Sequence, residues 1–195
     1  MIKKRLESFY QELGKDISLV AVSKTKTIED IMSAYNSGQR LFGENRVQEL
    51  TNKYSNLPKD IKWNMIGNLQ SNKVKYIASF VDLIHSLDSL KLAREINKQA
   101  EKNNRVIDCL VQIKISKEET KHGVSFENFD EFYKNVKSLK SINIAGLMGM
   151  ASFTDDKNLI KDEFKSISSL YKNCLLYTSD AADEGLGVDL GGRRI

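Results

Sequence analysis

From residue 17 onward the chain alternates between short apolar runs that end in small or polar residues and longer segments with helical spacing. The runs are ISLVAVS (17–23), RLFGEN (40–45), IKWNMIG (61–67), DLIHSLD (82–88), VIDCLVQIKI (106–115) and INIAGLMGM (142–150). Between them, apolar residues recur at i, i+3 and i+4 near 28–37, 46–55, 70–79, 89–103, 126–140 and 156–172, which predicts six helices. SLKLAREINKQAEK is the clearest, with Leu90, Ala93, Ile96, Asn97 and Ala100 on one side. Ile2, Leu6, Phe9, Tyr10 and Leu13 predict an opening helix before the first run. Several strand runs are continuously apolar rather than alternating. That is the pattern of strands covered on both faces, as in parallel sheets with helical crossovers. Six β-α units after an opening helix predict either a doubly wound sheet or most of a (β/α)8 barrel, which needs eight.

Composition narrows the class without changing this picture. At 195 residues the chain fits one domain with a sizeable core. Pro58 is its only proline, and no linker-like stretch divides residues 1–173. No run approaches the roughly 18 apolar residues of a membrane span, and Glu7 and Glu12 argue against a leader peptide. No membrane partner is therefore expected. Cys109 and Cys174 give neither a disulfide framework nor a metal-ligand cluster, so a reducing cytoplasm is the expected location. The net charge is +4, but lysines are interspersed with acids, as in REINKQAEKNNR. Such spacing describes solvated helix faces, and no nucleic-acid partner is expected.

Doubly wound sheets and barrels both carry function at the carboxyl ends of their strands, so polar residues there are the candidates. VAVSKTKT places Ser23, Lys24 and Lys26 at the end of the first run. A lysine there is either a solvated ammonium or a desolvated amine able to form a Schiff base with an aldehyde. Lys24 directly follows the apolar run and is the better placed of the two to enter a barrel mouth. FGENRVQE offers the close-approach Gly43, the acceptor Glu44 and the amide of Asn45; equally, Asn45 and Gln48 form a capping-box-like pattern. Gly67 and Asn68 are turn chemistry, and Ser71 is a candidate cap for the next helix. His85 stands at a strand end, Met148 and Met150 read as core residues, and Lys121 and His122 occupy a polar loop before Gly123. There is no metal-ligand spacing, nucleophile elbow or P-loop in residues 1–173.

LVAVSKTK, GQRLFGENRVQE, IGNLQSNK, HSLDS, VQIKIS…KHG and GLMGM occur in the order and spacing of one family. Across about residues 5–170 the chain resembles the YggS/PROSC pyridoxal phosphate homeostasis proteins. The resemblance implies an α/β fold, here an incomplete TIM (β/α)8 barrel of the alanine racemase N-terminal domain type, with about six of eight β-α units. It implies pyridoxal 5′-phosphate (PLP) held as a Schiff base on Lys24, with Asn45, Gly67, His85 and Met148 around it. No catalytic residue or metal is expected. The implied role is to bind, buffer and deliver the cofactor, with apo PLP-dependent enzymes as recipients and a monomeric intact protein. The alternative is a PLP-dependent amino-acid racemase or decarboxylase of the same barrel class. Those enzymes need a further β domain and a dimer partner, for which a protein of this family's length has no room.

The chain departs from the family at Thr27, where proline is usual, and at Asn64, where histidine is usual. The phosphate-holding motifs S-M-G-M-S-x-D and R-x-G-x-x-I-F-G, expected after strands seven and eight, are absent from it. The tail cannot replace them. Gly185, Gly187 and Gly191 have the wrong spacing for a dinucleotide loop, and Asp180, Asp183, Glu184 and Asp189 would repel a phosphate. CLLYTSDAADE and VDLGGRRI read instead as the translation of a transposase-type sequencing adapter. The expected organisation is a truncated PLP-binding barrel domain over 1–173 and a non-native tail over 174–195, with weak cofactor binding by the chain as written.

Overall fold

The computed structural model describes residues 2–14, 17–116 and 123–177, with side chains as far as residue 174. The tail beyond residue 177, and Lys121 and His122, lie outside the described residues. The opening helix α1 spans Ile2–Leu13 and buries Leu6. The chain then runs β1 (Ala21–Val22), α2 (Ile28–Asn36), β2 (Leu41–Glu44), α3 (Val47–Asn56) and β3 (Lys62–Met65). After a 3-10 segment over Ser71–Tyr76 come β4 (Leu83–Leu87), α4 (Leu90–Lys102), β5 (Ile107–Ile113), α5 (Phe129–Lys137), β6 (Ile142–Gly149) and α6 (Lys157–Tyr177).

All six strands are parallel and lie side by side in chain order, β1-β2-β3-β4-β5-β6. A doubly wound sheet reverses its order at a switch point. A barrel sheet continues in one direction. The strand order therefore decides between the two predicted architectures in favour of the barrel, with six strands among the described residues.

The local reasons are legible at several ends. Thr27 is the N-cap of α2, its hydroxyl accepting the Asp30 N–H at 3.2 Å, so the usual proline is replaced by a residue that starts the helix another way. Ser89 caps α4 through the Leu92 N–H. On α4 the buried face is Leu92, Ala93, Ile96, Gln99 and Ala100; Leu92 and Gln99 take the places expected for Leu90 and Asn97. The third crossover is the largest departure. A 3-10 segment stands where a helix was predicted, and it begins at Ser71, so that Ser71 caps nothing. Val74, Ile77, Ala78 and Val81 are nevertheless fully buried beneath it. Trp63, Phe42, Leu50, Met65 and Ile96 form the layer between sheet and helices.

Candidate functional site

Strand alternation sorts each side chain to the helix layer or to the barrel interior. Glu44 reaches Lys53 of α3, so it faces the helices, together with its register partner Met65 and then Ile84. Gly149 meets Ile167 of α6 and also faces outward. The intervening positions line the interior: Val22, Gly43, Asn64, His85, Gln112 and Met148. Their carboxyl-end neighbours are Lys24 and Asn45, in phase with Val22 and Gly43.

Lys24 sits in a tight turn closed by the Lys26 N–H donating to the Ser23 carbonyl at 3.0 Å. Thr25, at the third position, has φ +64°, a left-handed conformation that costs a β-branched residue about 1–2 kcal/mol. Only Asn104 shares a positive φ among the described non-glycine residues, and asparagine tolerates it. Lys24 is exposed and makes no hydrogen bond or ion pair among the described residues. Of the two readings open from the sequence, a solvated or a desolvated amine, the geometry presents the solvated one. Val22, two residues before Lys24 and in phase with it, is 51% exposed.

Deeper in, Asn64 and His85 form a buried pair, His85 Nε2 lying 2.9 Å from Asn64 Oδ1. The Asn64 amide nitrogen donates to the carbonyls of Lys62 at 3.2 Å and Phe42 at 3.4 Å, which turns its oxygen towards the ring. His85 Nε2 must therefore carry a proton and donate it. Gly67 stands against Asn45. A Cβ on Gly67 would lie 2.4 Å from the Asn45 carbonyl oxygen and 2.8 Å from its Cα, so only glycine permits this crossing. Ser86 Oγ fixes the same glycine by donating to its carbonyl at 2.7 Å. Asn45 is not a helix cap: Arg46 occupies the N-cap of α3 and makes no side-chain cap bond. Asn45, Arg46, Gln48, Asn68, Gln70 and Lys73 line a polar depression of about 300 Å³ beside the mouth. Met148 is buried against the interior, whereas Met150, expected in the core, is about half exposed.

Behind β1, on the helix side, lies a charged network that the sequence reading did not anticipate. Lys53 Nζ donates to the Ser23 carbonyl at 2.8 Å, to Glu44 Oε1 at 2.8 Å and to Glu49 Oε1 at 2.6 Å. Ser23 Oγ donates to Glu44 Oε1 at 2.6 Å, and the Thr25 N–H donates to Glu49 Oε1 at 2.7 Å. Glu44 thus points away from the mouth where an acceptor was expected. The two carboxylates respond oppositely to the same lysine. Complete burial pushes the Glu44 carboxyl up from its ordinary value against the pull of Lys53 and Ser23, and its Oε2 has no hydrogen-bond partner among the described residues. For Glu49, a quarter exposed, burial is outweighed by the bonds from Lys53 and the Thr25 N–H and by the charges of Lys53 and Arg46, and its carboxyl is held low. A charge at a core-phase position was the available signal: Glu44 alternates with buried Phe42, and Lys53 follows buried Leu50 by one helical turn.

The structure thus brings Asn45 and Gly67 into contact, places His85 and Met148 on one interior face, and sets Lys24 at the edge of that face. No cluster of three or more His, Cys, Asp or Glu able to hold a metal occurs among the described residues, and none of their helices is long and apolar enough to cross a membrane.

The family described as alanine racemase, N-terminal domain, matches residues 1–176. A pyridoxal phosphate homeostasis protein from Aquifex aeolicus is 42% identical over 153 residues, covering 78% of this chain and 67% of its own. The structure of PipY from Synechococcus elongatus, with PLP bound, superposes with a TM-score of 0.82 at 30% identity, covering 91% of this chain and 83% of that one. Alanine racemase from Clostridium difficile superposes with a TM-score of 0.73 at 16% identity over 89% of this chain and 47% of its own, a likeness of fold alone.

Proposed function

The chain belongs to the pyridoxal phosphate homeostasis (YggS/PROSC) family, built on the alanine racemase N-terminal barrel, and on that premise we propose that it binds PLP in the cytoplasm as a carrier and not as an enzyme. The observation that carries the reading is the contrast between two neighbouring lysines. Lys53 spends all three of its N–H donors on Ser23, Glu44 and Glu49, while Lys24, in the turn that follows β1, has its amine uncommitted among the described residues. PLP supplies an aldehyde, with which a neutral lysine amine condenses, losing water, to form a C=N bond. The donor set fits such a group: an available amine at the rim, the Asn45 amide following the neighbouring strand, and an apolar and amide-lined interior below.

Each residue has a distinct part. Lys24 is the anchoring amine. Asn45, held by its contact with Gly67, presents an amide at the mouth. Asn64 fixes the ring of His85 on the interior wall. Met148 supplies an apolar floor beside Gln112. The chain is proposed to act as a monomer that passes its cofactor to apo PLP-dependent enzymes. Because the chain as written is expected to bind weakly, PLP is added in large excess; the visible absorption band of lysine-bound cofactor is then expected to appear, and Lys24→Ala to remove it. A band of equal strength in Lys24→Ala would refute the assignment.

A further inference from the structure

Resting on Lys24 as the anchoring amine, we infer that Lys53 and Glu49 are positioning residues for it, holding the Ser23–Lys26 turn from behind the barrel wall. Every bond that the network makes outside itself lands on a residue flanking Lys24. On one side, Ser23 is gripped twice, its carbonyl by Lys53 Nζ at 2.8 Å and its hydroxyl by Glu44 Oε1 at 2.6 Å. On the other, the Thr25 N–H is taken by Glu49 Oε1 at 2.7 Å. Lys53 joins the two sides by bonding both carboxylates.

The turn needs such a grip. β1 is only two residues long and among the described residues pairs only with β2, whose last grip on it is the Gly43 carbonyl accepting the Ser23 N–H at 3.0 Å, so the sheet itself fixes little beyond Ser23. Thr25 is left-handed, a conformation a threonine leaves readily unless its surroundings hold it. Releasing Thr25 to extended backbone would rotate the peptide that follows Lys24 and change the direction in which the lysine leaves the turn. The restraint also separates Lys24 from Lys26, which lies at the far end of the same turn, equally exposed and two residues further from the strand. Discrimination between these two lysines is therefore what the network controls.

The full chain is incubated with PLP and reduced with borohydride, and the modified peptides are quantified as the ratio of Lys24 to Lys26. Lys53→Met and Glu49→Ala are compared with the wild type and with Glu49→Gln, whose amide oxygen still accepts the Thr25 N–H. Lys53→Met and Glu49→Ala are expected to lower the ratio about tenfold, the factor that one charge-assisted hydrogen bond supports, and Glu49→Gln to restore most of it. Fluorescence of the single tryptophan, the buried Trp63, reports whether each variant folds. Should Lys53→Met not fold, Glu49→Ala carries the test, because Glu49 is partly exposed and the Lys53–Glu44 pair survives its removal. A purely structural role would lower stability and leave the ratio unmoved. Folded Glu49→Ala with the wild-type ratio overturns the inference alone; a wild type with no modification at Lys24 overturns it together with the cofactor assignment.

Discussion

Replacing Gly67 by alanine tests the geometry of the mouth with a single methyl group. The new Cβ would sit 2.4 Å from the Asn45 carbonyl oxygen, 2.8 Å from Asn45 Cα and 2.9 Å from its carbonyl carbon. Ordinary contact begins near 3.4 Å, so the two backbone segments must part by about 1 Å. No flexible side chain can absorb this, because all three atoms belong to the main chain. Nor can residue 67 retreat freely: its carbonyl accepts Ser86 Oγ at 2.7 Å, and the preceding Ile66 N–H donates to the Glu44 carbonyl at 3.0 Å. The displacement falls on Asn45. Forcing an extra methyl into packed structure costs about 1–3 kcal/mol, which for a chain of this size lowers Tm by about 2–4 °C per kcal/mol. Urea unfolding followed by Trp63 fluorescence should show an earlier midpoint with an unchanged slope. A loss below about 0.5 kcal/mol, the range of neutral surface changes, would show that the crossing is looser than drawn.

Three further outcomes follow from particular contacts. Asn64→Leu leaves the buried His85 Nε2–H without its acceptor and should destabilise the fold by about 1–3 kcal/mol in the same urea assay, whereas no change would mean the pair is not formed. Glu49 has a depressed pKa, so its stabilising contribution is complete above the unfolded value of 4.5 and is lost as pH falls through the folded value. Thermal melts from neutral pH into that acid range should therefore fall less steeply for Glu49→Gln than for the wild type; parallel curves would contradict the assigned shift. Burial, aided by Asp108, pushes the Cys109 thiol far up, so an alkylating agent at neutral pH should modify the half-buried Cys174 first and Cys109 only on unfolding.

The barrel was largely legible because its evidence is periodic. Continuous apolar runs such as VIDCLVQIKI and amphipathic segments such as SLKLAREINKQAEK each report their own local structure, and β5 and α4 form where they are expected. The choice between barrel and doubly wound sheet depends on which strands become neighbours, and no local pattern holds that information. Lys24 could be singled out because it adjoins the strand that carries it. The Asn64–His85 pair joins residues 21 apart through the register of β3 on β4, which the sequence does not state. Lys53 meets Glu44 only because α3 folds back along β2. Asn45 was ambiguous for a different reason, since an asparagine before a helix is as good a cap as a ligand, and only the position of Arg46 at the N-cap separates the two.

The most direct measurement of the central claim is the identity of the lysine that bonds the cofactor. After incubation with PLP, borohydride reduction and peptide mapping, the account predicts that the peptide containing Lys24 carries the dominant modification and that Lys24→Ala loses it without a compensating gain at Lys26. Modification spread evenly over the surface lysines, or unchanged in Lys24→Ala, would contradict it.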